Sequence, residues 1–110
     1  MTDRDRVCLL QILDCIDAIK DFAAVGRDAF LASRLHRDAT VRNFEIIGEA
    51  AGRLSIEFRD RTAVAWSQIK AFRNLLSHQY DVVDFELVWR VVERDLPDLE
   101  ASVRRLLNAA

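Results

Sequence analysis

One proline and three glycines in 110 residues leave this chain few ways to make the frequent tight turns that a sandwich or barrel requires. Its apolar residues must therefore be organised along helices. The spacing agrees. Cys8, Ile12, Cys15, Ile19 and Phe22 recur at intervals of three and four, thickened by Leu9, Leu13 and Ile16, and predict a helix from about Arg4 to Ala23. Gly26 ends that element or lies just past it, and Asp28 is placed to cap a short turn carrying Phe30 and Leu31. A second long helix begins between Ser33 and Asp38 and reaches about Leu54, with Val41, Phe44, Ile47, Gly48, Ala51 and Leu54 as its buried stripe. Gly48 and Gly52 each cost such a helix up to about 1 kcal/mol relative to alanine, so the Gly48, Ala51, Gly52 face is read as a close helix–helix contact within the bundle, with part of a dimer interface as the alternative.

From Ser55 to Ala65 the pattern loosens and reads as a connection. A third long helix starts near Trp66, carries Ile69, Phe72, Leu75 and Leu76 inward and runs into a polar stretch at His78. A last segment from Asp84 to about Leu107 keeps Phe85, Val88, Val91, Val92, Leu96, Leu99, Val103 and Leu106 on one side, with a kink or break expected near Asp95 because Pro97 lacks an N–H. The expected fold is one all-α, up-and-down helical bundle of four to five helices spanning residues 1–110, since 51% apolar content at this length supports a single core.

The basic residues are almost all arginine, but eighteen carboxylates leave a net charge of −2. A passive nucleic-acid coat would be basic overall, so any RNA contact must be local and use a few placed arginines, whose planar fork holds a phosphate with two hydrogen bonds. Cys8 and Cys15 lie on one helix face but roughly 10 Å apart by helix rise. Disulfide Cα atoms must come within about 7 Å, so both cysteines are read as buried core thiols. The N-terminal residues show no signal-peptide pattern, and no apolar run approaches the roughly 20 residues of a membrane span, so the expected location is cytoplasmic. Two histidines and scattered carboxylates show no metal-ligand spacing, and neither metal nor cofactor is expected.

The chemistry-bearing run is Arg73-Asn74-Leu75-Leu76-Ser77-His78-Gln79-Tyr80. With about 100° per residue and Ile69 at zero, Phe72, Leu75 and Leu76 cluster around 240° to 340°, while Arg73 lies near 40°, Ser77 near 80°, Asn74 near 140° and His78 near 180°. The polar groups thus form one arc, read as facing away from the core, in which Asn74 can hydrogen-bond to His78. Arg73 and His78 are about 140° apart on an ideal helix. Either the helix distorts at its end, or a dimer brings an arginine and a histidine from symmetry-related copies into one cleft. An arginine and a histidine suffice for attack of an RNA 2′-hydroxyl on the adjacent phosphate. His moves a proton near neutral pH, and Arg offsets the charge that develops on the phosphate. On spacing alone, an exposed Arg and His are more often ordinary surface groups. Trp66 and Trp89 are read as core anchors, His36 as part of a solvated helix start, and Glu49 either as a partner of this run or as a partner of Arg42 or Arg53.

Arg73-Asn74-x-Leu76-x-His78-x-Tyr80 resembles the Arg-x4-His-x-Tyr signature of HepT-like toxins of the HEPN superfamily. The stretch from Arg37 to Ala51, with its Ile47-Gly48-Glu49-Ala50 centre, resembles that family's corresponding helix. Trp66-x-x-Ile69, Val88-Trp89 and Asp95-Leu96-Pro97 match later landmarks in the same order, and Ala65 departs from the proline that many relatives carry before the tryptophan. The resemblance implies a HEPN bundle, a homodimer with a composite site, and a metal-independent endoribonuclease acting on tRNA or mRNA. Arg73 and His78 would be its catalytic residues and Asn74 would position substrate. It also implies an antitoxin of the minimal nucleotidyltransferase (MntA) type that attaches AMP to Tyr80, placing negative phosphoryl groups beside a phosphate-binding arginine. The alternative is a non-catalytic partner that binds and regulates such a nucleotidyltransferase, consistent with the acidic net charge.

Overall fold

The computed structural model describes residues 1–78 and 80–109, with Tyr80 by its main chain alone. Its elements are α1 (Asp3–Ala23), α2 (Arg27–Ala32), α3 (Arg34–Gly52), α4 (Ile56–Arg61), α5 (Trp66–His78), a 3-10 turn (Tyr80–Val82) and α6 (Phe85–Asn108). The all-α reading holds, with four long helices and two of six residues among the described residues. The connection after Ser55 carries one of the short ones: Ser55 caps α4 by accepting from the Phe58 amide, and Phe58 is buried. Six residues, fewer than two turns, with a single buried side chain are too short to show a period. The start of α2 also differs from expectation. Gly26, at φ +93°, precedes the helix, whereas Asp28 lies inside its first turn and pairs with Arg27. Only glycine adopts that φ without strain, which is how the chain reverses direction after α1.

Cross-helix side-chain pairs establish the up-and-down arrangement. Asp5, at the start of α1, meets Ser55 just beyond the end of α3. Lys20 and Asp17 of α1 meet Glu100 and Arg104 of α6 in reverse order. Glu49 and Glu45 of α3 meet Arg73 and Ser77 of α5 in the same reversed sense. The core of Leu9, Ile12, Ile16, Ile19, Phe30, Ile47, Val88 and Val103 is completely or almost completely shielded from solvent, and Trp66 and Trp89 are buried at its margins as expected. The Trp66 indole N–H donates to Thr62 Oγ1, which ties the start of α5 to the end of α4. Cys8 and Cys15 are buried free thiols. Pro97 is accommodated within α6, which continues through it without a break. Between α5 and α6 lies an open apolar groove of about 350 Å³, floored by Phe44 and Ile47. Among the described residues no helix is long and apolar enough to cross a membrane.

The buried Asp5 carboxylate fastens two elements at once. It completes a capping box with Thr2, accepting from the Thr2 amide at 3.0 Å while Thr2 Oγ1 accepts from the Asp5 amide. It also accepts from the amide and the hydroxyl of Ser55 at 2.7 and 2.9 Å. Burial alone would raise its pKa, but donation from the Ser55 and Thr2 amides, then from their hydroxyls, outweighs burial and lowers it from 3.8 to about 2. A depressed carboxylate pKa stabilises the fold above the unfolded-state value, and the contribution disappears as pH falls through the folded-state value. Asp5→Asn is therefore expected to cost about 2 kcal/mol near neutral pH. The difference from wild type should shrink as pH drops from 3.8 towards 2. Denaturant unfolding of both proteins across that range checks this; a pH-independent difference would contradict it.

Candidate active site

Helix α5 brings the polar run to the surface, but its orientation differs from the simple outward arc. Leu76 is buried, Phe72 is half-buried against the Phe44 ring, and Leu75 is 40% exposed. The buried side of α5 is thus rotated towards Arg73 and Ser77, both half-buried, and only His78 is fully on the outside. Leu75 was expected inward because it falls beside Phe72 on the wheel. The wheel gives angles around one axis, while the side that becomes buried is set by which helix packs there.

That helix is α3, and the contact is unusually close at Gly48. A Cβ added to Gly48 would overlap the Cβ of Arg73 and lie 2.5 Å from its Cγ. The bare backbone at Gly48 is the floor across which the Arg73 stem runs, so the expected close contact is real and its other half is the motif arginine. Gly52 takes no part in it: the space around it is open, and it is exposed.

Two rungs cross from α3 to α5 on either side of Gly48. Ser77 Oγ donates to Glu45 Oε2 at 2.8 Å. Arg73 Nη2 lies 4.0 Å from Glu49 Oε1, the outer limit of an ion pair, and Arg42 Nη1 reaches the same oxygen at 3.5 Å. Glu49 therefore partners both the motif arginine and Arg42, joining two readings that the sequence had set against each other. Arg73 Nη1 also donates to Asn74 Oδ1 at 3.0 Å, so Asn74 holds the arginine, where the sequence had pointed to the imidazole. The Arg73 side chain is one-third exposed; its Nε is shielded without a hydrogen-bond partner among the described residues, and its Nη2 reaches Glu49 only at ion-pair distance. It is a cation with unspent donor capacity at the surface. Sequence reasoning missed Glu45, whose only signal is its position four residues before Glu49, and that puts both carboxylates on one helix face.

His78 ends α5 and is exposed. Tyr80 opens the 3-10 turn that follows, and its side chain, like all of Gln79, lies outside the described residues. Arg73 faces α3 while His78 faces solvent, so a regular helix does not point both groups of one chain at a single phosphate. His36 belongs elsewhere: its amide donates to Ser33 Oγ at the cap of α3, and its Nδ1 lies 2.6 Å from the same oxygen. Among the described residues no three His, Cys, Asp or Glu side chains are grouped to hold a metal ion.

Residues 12–106 match the family model described as "Ribonuclease HepT-like". The chain is 33% identical over 105 residues to a Methanocaldococcus jannaschii protein named "Gamma-glutamylcyclotransferase and putative RNase", covering 94% of this chain but only 47% of that protein. It is 31% identical over 106 residues to a "Putative RNase" of the same organism, covering 94% of this chain and 97% of the relative. It is 30% identical over 100 residues to the "Probable ribonuclease HepT" of Thermococcus cleftensis, covering 89% and 91%. No solved structure matches the chain. A model match running from the middle of α1 into the last turn of α6 establishes that the chain belongs to the ribonuclease HepT-like family, a family of ribonucleases.

Proposed function

We propose that this protein is the toxin of a toxin–antitoxin pair, a metal-independent endoribonuclease whose site is completed in a homodimer. The observation that carries the reading is the Arg73 guanidinium, held at the surface by Asn74 and Glu49 with donors to spare, five residues before an exposed His78. Its geometry suits a phosphate, and family membership supplies the substrate class. In the reaction the 2′-oxygen of RNA forms a bond to the adjacent phosphorus and the P–O5′ bond breaks, leaving a 2′,3′-cyclic phosphate and a 5′-hydroxyl. His78 moves the proton, either from the attacking hydroxyl or to the leaving oxygen. Arg73 stabilises the extra negative charge on the phosphoryl oxygens, and Asn74 positions Arg73 or the substrate. The divergence of Arg73 and His78 around α5 favours a cleft in which each chain supplies one of the two. Exposed Leu75 and Val82, which flank His78 in sequence, offer an apolar surface for the second copy.

The regulatory half of the proposal is AMP transfer to the Tyr80 hydroxyl by a cognate nucleotidyltransferase, which would set negative charge beside the phosphate-binding arginine and repel RNA. Expression of the wild type is expected to arrest growth with RNA cut internally. Co-expression of the nucleotidyltransferase should restore growth and leave an AMP adduct on the peptide containing Tyr80, and Tyr80→Phe should escape this rescue. A wild type as harmless and as inactive on tRNA and mRNA as His78→Ala would overturn the enzyme reading. Tight nucleotidyltransferase binding by such an inactive protein would instead make it a non-catalytic partner.

A further inference from the structure

We propose that Arg42, Glu49 and Arg73 form a two-arginine phosphate site in which an RNA phosphate displaces the Glu49 carboxylate, making Arg42 an RNA-binding residue outside the motif. The proposal rests on the ribonuclease reading and names how that site grips its substrate. The geometry is unusual for an acidic chain. Arg42 stretches two turns along α3 to bring Nη1 within 3.5 Å of Glu49 Oε1, and Arg73 approaches the same oxygen from α5 at 4.0 Å. Two guanidinium groups from different helices thus converge on one anionic oxygen. The Arg42 side chain is 60% exposed and the Glu49 side chain 31%, so the convergence point is open to solvent. Without the carboxylate the two cations would repel each other; with it, they are held close together in the free protein. A phosphodiester offers the same kind of acceptor, with two equivalent oxygens for two forks.

The contacts to Glu49 are long for charge-assisted hydrogen bonds, which are typically about 2.7–2.9 Å, and Arg73 Nη2, at 4.0 Å, makes an ion pair with the carboxylate but no hydrogen bond. The carboxylate is therefore a loose placeholder, and a phosphate bound at shorter range exchanges with it favourably. Arg34 provides the contrast. It lies on the same helix, is 87% exposed and pairs with Asp38 four residues on, far from the convergence point in sequence and one-sided in its partners.

The test is binding of a fluorescent 2′-O-methyl oligoribonucleotide, which lacks the attacking hydroxyl, to the full chain by anisotropy across a salt series. Arg42→Gln is expected to weaken binding several-fold and to reduce the slope of log affinity against log salt by about 0.7, the loss of one phosphate contact on a single strand. Arg34→Gln, an equal change in net charge, should leave the slope unchanged. Glu49→Gln should bind more tightly than wild type, because the competing anion is gone. Equal slopes for the Arg42 and Arg34 variants, unchanged or weaker binding by Glu49→Gln, or no salt-dependent binding by wild type would each overturn the site. Cleavage of unmodified RNA by the wild type, measured in parallel, judges the ribonuclease reading by itself.

Discussion

Replacing His78 by alanine is expected to lower RNA cleavage by about 10²- to 10⁴-fold, the usual loss when a positioned proton-transfer group is removed, while leaving the fold intact. His78 is the last residue of α5 and is exposed, so it carries no core packing. Surface substitutions of this kind change stability by no more than about 0.5 kcal/mol. Arg73→Ala should also abolish cleavage but is the poorer probe, because the Arg73 stem covers Gly48 and its head holds Asn74. Cleavage of a single-stranded RNA measured beside a thermal melt separates the two effects. An alanine variant at position 78 that melts like wild type and cleaves at the wild-type rate would remove the histidine from the mechanism.

Gly48→Ala is the second large effect. The added methyl would occupy the space of the Arg73 Cβ and Cγ, which are the rigid root of the side chain and not a flexible tip that could swing aside. Relief requires α3 and α5 to separate, and overpacking of this kind typically costs about 1–3 kcal/mol. The same separation stretches the Ser77–Glu45 and Arg73–Glu49 rungs, so activity should fall by more than the loss of folded protein explains. Gly52→Ala, four residues later on the same helix, meets nothing within 4 Å and should be neutral or stabilising by up to about 1 kcal/mol. Paired melts and cleavage assays check the contrast. Equal behaviour of the two variants would show that the close approach at Gly48 does not matter.

Much of the fold was legible because helix periodicity and caps are local. The α1, α3 and α6 stripes are written at spacings of three and four, and Asp84 announces α6 by accepting from the Glu86 and Leu87 amides. The run from Arg73 to Tyr80 was legible as well, as a pattern of residue types. Helix α4 was not, since six residues with one buried phenylalanine carry no period. Nor was continuity through Pro97: a proline removes one N–H, but whether a helix breaks there depends on the packing of the residues on either side, and Leu96 and Val103 are both buried.

Sequence by itself therefore determined that the chain is helical, which residues line each apolar stripe, and that an arginine and a histidine share one helix. Tertiary structure decided the surroundings of the arginine. A helical wheel places Arg73 at an angle about its own axis but cannot say which neighbour occupies that direction. Only the packing of α3 against α5 showed that Gly48 clears its path and that Glu49 and Arg42 meet its head. The physical reason is range. Hydrogen bonds and side-chain spacing within a helix act over three or four residues, whereas Gly48 and Arg73 meet only after the hydrophobic core has brought two helices together.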